Sequence, residues 1–343
     1  MTATALPPVI TGLQAWTAAS DGGVEGLRRR LGPNQIAAIT AAARATDGVA
    51  TTEVTRAAFG EEPITRLMQA VAADLQRGRG AVVLTGLELD ALGEEAFARI
   101  HFGLGAHLGR AMPQSARGDR HGVVQQEHSP ELRGYQLDIE LGPHTDFHEI
   151  LSLASVAMAD TGGLSGFVSS ATIYNILRDE QPELIAPLME GFPYPTGPDT
   201  VTDYKVPSLS LVDGMANLYN YKLFPFDAAH ILGTPVPAAL VKAMRAVDAI
   251  AARPEVRVSF LMQPGEMVFW NNFRVQHART SFKNGGGRQR KLFRLWLHAH
   301  APQPMARGFH EMAELLDRYH AEGRSLLVNT PESMAAVREA LTG

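Results

Sequence analysis

Cysteine is absent from this 343-residue chain. Disulfide frameworks, thiolate zinc sites, iron–sulfur clusters and cysteine nucleophiles are therefore excluded. A metal could still be bound, but only through nitrogen and oxygen ligands. The sequence contains 12 histidines and 36 acidic residues that could supply such ligands.

An excess of positive charge is also missing. The 31 lysines and arginines are outnumbered by 36 aspartates and glutamates, which gives a net charge of −5 at pH 7. Because nucleic acid is normally bound by a basic surface, we expect no nucleic-acid partner. Hydrophobic residues make up 45% of the chain, enough for one large core or two ordinary ones, so intrinsic disorder is excluded.

Long hydrophobic runs are the third absence. The longest uncharged stretch of apolar character, residues 150–159, is far shorter than the about 20 residues that span a bilayer, so we expect no membrane segment. The first residues do not show a basic segment followed by an apolar one, so a secretory signal is not expected. These features predict a cytoplasmic protein, and a homo-oligomer is possible.

The pattern of elements predicts a mainly β fold with flanking helices. Between about residues 120 and 300, short apolar runs alternate with turns rich in glycine, proline and aspartate, as in a sandwich or a barrel. Helical periodicity interrupts this core at residues 173–190 and 237–252. No alternation of strand and helix indicates a parallel sheet.

The remaining segments predict helices around this core. Residues 1–110 are mostly helical in pattern, with one buried strand at residues 81–85, and we expect them to pack on the core. Residues 301–343 are expected to form a C-terminal helical segment. Since no linker divides the chain, we expect a single domain over residues 1–343.

Two segments concentrate side chains that bind metals. The first contains His144 and Asp146, and the second contains His277. Side chains alternate between the two faces of a strand, so His144 and Asp146 should project to the same side, one strand step apart. With His277 from another strand they would occupy one face of an octahedral metal and leave three positions open, as at a non-heme Fe(II) centre.

Spacing alone leaves other ligand sets open. His148 shares strand parity with His144 and Asp146, and His298 and His300 form another pair on one face. A cupin-like metalloenzyme could therefore use His144, His148 and either His298 or His300. A jelly-roll binding module without catalytic activity is a further alternative.

A later segment places two arginines on one face of an apolar strand. Arg290 and Arg294 are four residues apart, with Leu292 between them and Trp296 beyond. Arginine is seldom buried without a partner, so these two guanidinium groups require carboxylates. The carboxylates could come from the protein itself, as internal salt bridges, or from bound ligands.

Taken together and in order, these motifs resemble the taurine dioxygenase family. The similarity extends from about residue 80 to residue 300, and the joint match is far more specific than any single motif. The motifs are His144-x-Asp146, Gly162-Gly-Leu-Ser165, Gln263-Pro-Gly-Glu266, Asn272, His277-x-Arg279 and Arg290-x₃-Arg294. That family consists of Fe(II)- and 2-oxoglutarate-dependent oxygenases built on a double-stranded β-helix (jelly roll).

The resemblance implies roles for individual residues. Arg290 matches the arginine that binds the distal carboxylate of 2-oxoglutarate, and Ser165 stands where many relatives have a threonine that contacts the same carboxylate. Arg294 matches a position that often binds an anionic group of the primary substrate. The implied catalytic iron ligands are His144, Asp146 and His277.

The implied reaction consumes O₂ and 2-oxoglutarate and oxidises an unactivated C–H bond, with release of succinate and CO₂. The usual outcome is hydroxylation of a small anionic substrate, and an amino acid or an amino-acid-derived metabolite of specialised metabolism fits best. Halogenases of this superfamily lack the carboxylate ligand, so Asp146 argues against halogenation. A desaturase or a cyclising oxygenase of the same family is an alternative, as is a cupin-like metalloenzyme that does not use 2-oxoglutarate.

Neighbouring residues are candidates for the substrate pocket. Phe147 and His148 directly follow the ligand pair and could form its wall. Gln126 and Tyr135 lie in the polar segment 114–135, which in relatives covers the substrate.

Two residues near His277 are candidates for its support. Asn272 and Arg279 flank it in the family pattern, and we expect them to orient its ring by hydrogen bonds.

Overall fold

Two β-sheets form the centre of the computed structural model, which describes residues 7–20, 22–126, 138–287, 289–326, 335–337 and 339–340. The larger sheet contains β1 (Arg28–Arg30), β2 (Ala81–Thr85), β3 (Gly109–Ala111), β4 (Gly122–Gln125), β6 (Ile150–Ala157), β14 (Met267–Asn271) and β17 (Lys291–Ala299). The smaller sheet contains β5 (Leu141–His144), β8 (Ser165–Ser169), β13 (Val258–Phe260) and β15 (Val275–Arg279). Short paired strands are β7 (Thr161–Gly162) with β16 (Phe282–Lys283), β9 (Pro195–Gly197) with β10 (Thr200–Val201), and β11 (Leu209–Val212) with β12 (Met215–Leu218).

The strand order explains how distant parts of the chain meet. The larger sheet runs β1-β2-β14-β6-β17-β3, and β4 also pairs with β17. The smaller sheet runs β13-β8-β15-β5. Within these two sheets every pair is antiparallel except β1 with β2. The sheets face a shared interior, because Phe167 of the smaller sheet and Trp270 and Trp296 of the larger one belong to the same apolar core.

Helices surround the two sheets. They are α1 (Pro33–Ala45), α2 (Glu62–Arg77), α3 (Leu89–Leu92), α4 (Glu94–Gly105), α5 (Ser170–Glu180), α6 (Ile185–Glu190), α7 (Leu223–Leu232), α8 (Ala238–Ala251) and α9 (Phe309–Ala321). Short 3₁₀ helices cover Thr51–Glu53, Arg56–Phe59 and Pro182–Leu184. Helices α1, α2 and α4 pack on the larger sheet, whereas α5, α6 and α8 pack on the outer side of the smaller one.

Strand β17 shows why the layers form. Its residues Phe293, Leu295 and Leu297 belong to the apolar core under α1, α2 and α4. The alternate residues Leu292 and Trp296 belong to the core between the two sheets. Because side chains alternate along a strand, β17 is buried on both faces, which explains its continuous apolar sequence.

The mainly β fold with flanking helices is confirmed, with differences at particular elements. The predicted insertion at residues 173–190 is two helices, because Pro182 follows α5 and a proline disfavours helical geometry in the residue before it. Helix α7 was not predicted, and α9 lies in the segment expected to be helical. That the whole chain forms one domain stays a prediction. Among the described helices, none has the length and apolar character needed to cross a bilayer.

Leu295 tests the packing of the helical layer on β17. Its side chain is fully buried, so Leu295→Ala should reduce the free energy of unfolding by about 2–5 kcal/mol through lost burial and the cavity left behind. Chemical denaturation followed by circular dichroism measures this loss. Leu232→Ala is the matched control, because Leu232 is 44% exposed and should change stability little. Equal losses in both variants would contradict the packing described here.

Candidate metal centre

His144, Asp146 and His277 converge where the smaller sheet faces the interior. His277 in β15 lies directly opposite His144 in β5, and the two ring centres are 4.1 Å apart. Asp146 follows two residues after the end of β5, and one ligand atom from each of the three residues lies within 4.8 Å of the others. The side chains of His144 and Asp146 are 26% and 16% exposed, so solvent reaches the cluster.

The tautomer of His144 is fixed by its backbone contact. Its Nδ1 lies 2.8 Å from the carbonyl oxygen of Gly142. Because a carbonyl only accepts hydrogen bonds, Nδ1 carries the proton and Nε2 keeps a lone pair. This Nε2 lies 4.0 Å from Oδ1 of Asp146. Metal-binding histidines are commonly oriented by such a bond at the other ring nitrogen.

Burial keeps both imidazoles of the cluster neutral. Burial, helped by the neighbouring His144, lowers the pKa of His277 to about 3, although Asp146 acts in the opposite direction. Burial also lowers the pKa of His144, although Asp146 acts in the opposite direction. Burial alone would raise the pKa of Asp146, but His277, Arg294, His144 and the indole N–H of Trp296 lower it below its usual value. Two neutral nitrogens and a carboxylate form a donor set suited to a divalent metal such as Fe(II).

Asp146 is held at both its main chain and its side chain. The Asn272 side chain accepts a hydrogen bond from the Asp146 N–H at 3.1 Å and donates one to its carbonyl oxygen at 3.0 Å. The indole N–H of Trp296 donates to Oδ2 of Asp146 at 3.0 Å, which leaves Oδ1 on the side of His144. Asn272 was expected to orient His277, but its hydrogen bonds hold Asp146 instead.

Arg290 lies directly before β17 and is a buried cation. Burial, together with the nearby Arg279, lowers its pKa to about 9. No acidic residue in the described part of the chain lies within ion-pair distance of its guanidinium group. Gly163 explains the close packing here: it adopts a φ of +75°, and a Cβ at this position would lie 3.1 Å from Nε of Arg290. A buried guanidinium group of this kind fits an anionic ligand.

Ser165 and Arg279 lie near this cation. Ser165 is buried at the start of β8 and pairs with Arg279 of β15. The guanidinium carbons of Arg279 and Arg290 lie 4.9 and 5.4 Å from the ring centre of Phe282. Arg279 donates a hydrogen bond to the carbonyl oxygen of Ile139 at 2.7 Å, so this bond does not orient His277 as was expected.

Gln114 holds Arg294 at two points. Nε of Arg294 donates to Oε1 of Gln114 at 2.6 Å, and the Gln114 amide donates to the Arg294 carbonyl oxygen at 2.7 Å. Gly122, which pairs with Arg294 across β4 and β17, makes room for this contact, since a Cβ there would lie 2.5 Å from Oε1 of Gln114. Gln114 is therefore a buried support for Arg294, although it begins the segment that was predicted to be a lid.

The predicted pocket residues lie in different surroundings. Phe147 is buried among the rings of Tyr221, Phe224 and Trp296. Gln126 accepts a hydrogen bond from the side chain of Asn284 at 2.8 Å. Tyr135 lies outside the described residues.

A second group of ligand-type side chains lies behind the first. His148 is fully buried, and its Nε2 lies 3.0 Å from Oδ1 of Asp317 in α9. Nε2 of His298 lies 3.0 Å from the other oxygen of Asp317. The cupin-like ligand set required His144 to share a site with His148 and His298 or His300, and the structure does not bring these residues into one cluster.

Three supporting residues were not identified from the sequence. Trp296 was seen only as an apolar position, although its parity with Arg290 and Arg294 places it on the interior face of β17. Gln114 and Asp317 lie far along the chain from the residues they hold, and no local pattern marks them.

Comparison with known proteins identifies the family. The sequence matches the family described as taurine catabolism dioxygenase TauD, TfdA family over residues 50–296, which is most of the chain. The chain belongs to this family. The taurine dioxygenase resemblance is thus confirmed.

Relatives and solved structures agree with this assignment. FR-33289 synthase from Streptomyces rubellomurinus is 27% identical over 266 residues, which are 73% of this chain and 78% of the relative. Asparagine oxygenase in complex with Fe(II), 2S,3S-3-hydroxyasparagine and succinate has a similar structure, with a TM-score of 0.65, 16% identity and coverage of 79% of this chain and 93% of that chain. Non-heme iron oxygenase OrfP in complex with Fe and alpha-ketoglutaric acid gives a TM-score of 0.60, 15% identity and coverage of 79% and 94%.

These findings confirm the fold and the enzyme class. The fold is the double-stranded β-helix of the TauD-like oxygenases. The protein is a non-heme iron dioxygenase that depends on Fe(II) and 2-oxoglutarate, with O₂ as co-substrate. The two neutral imidazoles, the carboxylate and the buried cation of Arg290 fit these cofactors chemically.

Glu149, which lies close to the site, should make the stability of the folded protein depend on pH. Burial raises its pKa to about 7, although the Gln303 N–H, His298 and Asn271 act in the opposite direction. Because the folded protein binds this proton more tightly than the unfolded chain, the contribution of Glu149 to stability should fall as pH rises from about 5 to 7, by at most about 3 kcal/mol. The buried histidines act in the opposite direction in both proteins, so the fall should be seen in the stability of the wild type relative to Glu149→Gln. Urea unfolding of both proteins at several pH values tests this, and a stability difference independent of pH would contradict it.

Proposed function

We propose that His144, Asp146 and His277 bind the Fe(II) of this dioxygenase. The observation that carries the proposal is their convergence from two paired strands and the turn after one of them, with ligand atoms within 4.8 Å of one another. Two further features support it. Nε2 of His144 is left with a free lone pair, and the buried Nδ1 of His277 has no hydrogen-bond partner among the described residues.

The three side chains would occupy one face of an octahedral ion and leave the opposite face for co-substrates. Iron bound there together with 2-oxoglutarate and O₂ supplies the oxidising power to break an unactivated C–H bond, with release of succinate and CO₂. The protein itself contributes position and charge: Asn272 holds the main chain of Asp146, and Trp296 holds one of its carboxylate oxygens.

We further propose that Arg290 and Ser165 bind the distal carboxylate of 2-oxoglutarate. Burial disfavours the charged form of Arg290, and no acidic residue of the described chain compensates it. A ligand carboxylate would supply that compensation through two parallel hydrogen bonds. Ser165 is buried in β8, which pairs with β15 next to His277, so its hydroxyl belongs to the same part of the interior.

Arg294 is the proposed anchor for an anionic group of the primary substrate. It lies in β17 on the same face as Trp296, and its charge lowers the pKa of Asp146, so it is close to the proposed iron ligands. Gln114 fixes the guanidinium group through Nε. Phe147, His148, Gln126 and Tyr135 are the other substrate-pocket candidates, and the rings of Phe147 and His148 both contact Trp296.

An amino acid or an amino-acid-derived metabolite is the proposed substrate, and hydroxylation is the proposed outcome. The similar structures include an asparagine oxygenase with bound 3-hydroxyasparagine and an OrfP complex with (3S)-hydroxy-L-Arg. Both support a substrate that carries a carboxylate for Arg294. Desaturation or ring closure is the second candidate, since these differ from hydroxylation only in how the substrate radical is held. A cytoplasmic location, a homo-oligomeric state and the absence of nucleic-acid binding stay predictions.

Asp146→Ala tests the iron ligands. Anaerobic addition of Fe(II) and 2-oxoglutarate to the wild-type protein should give a weak visible charge-transfer band. The variant should lose this band, because the only anionic ligand of the proposed set is gone. Glu140→Ala is the matched control: this exposed carboxylate precedes β5, and its removal should leave the band intact. An unchanged band in Asp146→Ala would refute the assignment.

Arg290→Gln and Arg294→Gln separate the two proposed anion sites. Succinate release without primary substrate, measured against 2-oxoglutarate concentration, reports the first site. Arg290→Gln should raise the half-saturating 2-oxoglutarate concentration by about 10–100-fold. This increase corresponds to the loss of a charged hydrogen bond, which contributes roughly 1.5–3 kcal/mol. Arg294→Gln should leave it near the wild-type value. Equal effects of the two substitutions would contradict the division of roles.

A further inference from the structure

Helix α9 lies beyond the part of the chain that matches the family model. The family match ends at residue 296, and α9 covers Phe309–Ala321. The helix buries Phe309, Met312 and Leu316, and the ring of Phe309 packs 5.0 Å from that of Phe273. This docking turns one acidic side chain of α9, Asp317, towards the interior, where it is 11% exposed.

A continuous series of contacts joins Asp317 to the proposed iron ligand Asp146. The two oxygens of Asp317 lie 3.0 Å from Nε2 of His148 and 3.0 Å from Nε2 of His298. The ring of His148 stacks on the indole of Trp296, with ring centres 5.3 Å apart and an angle of 27° between the planes. The indole N–H in turn donates to Oδ2 of Asp146 at 3.0 Å.

We propose that Asp317 is a positioning residue for the iron centre, acting through His148 and Trp296. By fixing the His148 ring it fixes the plane of the indole stacked on it. The indole N–H then occupies Oδ2 of Asp146 and leaves Oδ1 as the single ligand oxygen. This role rests on the proposed function, because it requires Asp146 to be an iron ligand.

The need for such support follows from the contacts of Trp296. A hydrogen bond to a carboxylate restricts the carboxylate only if the donor cannot turn, so the indole plane must be fixed. Arg294, 4.8 Å from the ring, is committed to Gln114, and Phe147 meets the ring edge-on. Of these neighbours, His148 is the ring that stacks nearly parallel to the indole, so its bond to Asp317 helps to fix the indole plane.

The unpaired ring nitrogen of His148 indicates that His148, His298 and Asp317 are joined by hydrogen bonds rather than by a second metal ion. Its Nδ1 is buried and has no hydrogen-bond partner among the described residues. If Nε2 bound a cation, Nδ1 would carry a proton and bury an unpaired donor, which is costly. If instead Nε2–H donates to Asp317, only a lone pair is left unpaired. Although burial acts against it, the bonds from His148 and His298 lower the pKa of Asp317 to about 2, so it is an acceptor.

Indole N–H resonances of the metal-free protein test the series of contacts directly. The sequence contains three tryptophans, so ¹⁵N-tryptophan labelling gives three indole signals. Trp16 donates to the Arg79 carbonyl, whereas the Trp270 nitrogen is buried without a hydrogen-bond partner among the described residues. Trp296→Phe identifies the third signal. In Asp317→Ala the Trp296 signal should shift and exchange faster with solvent, while the other two stay unchanged.

Matched variants separate positioning from general stability. Glu314→Ala removes an exposed carboxylate from the same helix and should leave all three signals in place. Asp317→Asn keeps one acceptor oxygen for His148, and the half-exposed His298 can change tautomer, so its Trp296 signal should stay close to wild type. Thermal unfolding of each variant is measured alongside.

Metal affinity is the second readout. The dissociation constant for Co(II), used as an air-stable probe of the Fe(II) site, should rise about 10-fold in Asp317→Ala and stay at the wild-type value in Glu314→Ala. Asp317→Asn should remain near wild type. The wild-type protein should bind one equivalent of the metal.

Each contrary result has a distinct meaning. An unshifted Trp296 signal in Asp317→Ala, or a shifted signal with wild-type metal affinity, would overturn the positioning role. If Asp146→Ala still loses the metal, the proposed iron ligands would stand. Binding of two equivalents of Co(II) by the wild type and one by Asp317→Ala would overturn the positioning role, because it would show that Asp317 belongs to a second metal site. Metal binding that survives Asp146→Ala would refute the proposed iron ligands and this inference together.

Discussion

The antiparallel pairing of β5 with β15 is the constraint on which the site depends. It sets His277 opposite His144, and the chain leaving β5 then places Asp146 beside both. A slip of one residue in this pairing would turn His277 to the opposite face of the sheet and dissolve the cluster. The register is held on the other side as well, because β15 pairs with β8 over five residues, from Val275 with Ser169 to Arg279 with Ser165.

Strand β17 supplies two further residues of the site, Arg294 and Trp296. Its outer face is locked under the helices by Phe293, Leu295 and Leu297. Its inner face is therefore free to carry functional groups, with Arg294 and Trp296 on successive inward positions. Sites built on strands keep their geometry better than sites built on loops. The dense apolar packing of one face thus explains how buried charges on the other face stay in place.

Features that depend on local sequence patterns could be predicted from the sequence. The proposed iron ligands and Arg290 were chosen from their spacing and from the family pattern, and β17 was expected from its apolar run. The target of Asn272, the clamp of Gln114 on Arg294 and the reach of Asp317 to His148 could not be predicted. Each joins residues that are far apart in the chain, and a polar side chain carries no sign of its distant partner. Their partners depend on how the sheets and helices pack.

Buried charge connects Arg290 with the co-substrate. Burial disfavours the charged form of Arg290, and no acidic residue in the described part of the chain lies within ion-pair distance of it. An uncompensated charge in such surroundings is costly. Of the proposed iron ligands, only Asp146 is charged, since both imidazoles are neutral. A co-substrate with two carboxylates suits this arrangement, because one end can approach the metal while the other compensates Arg290.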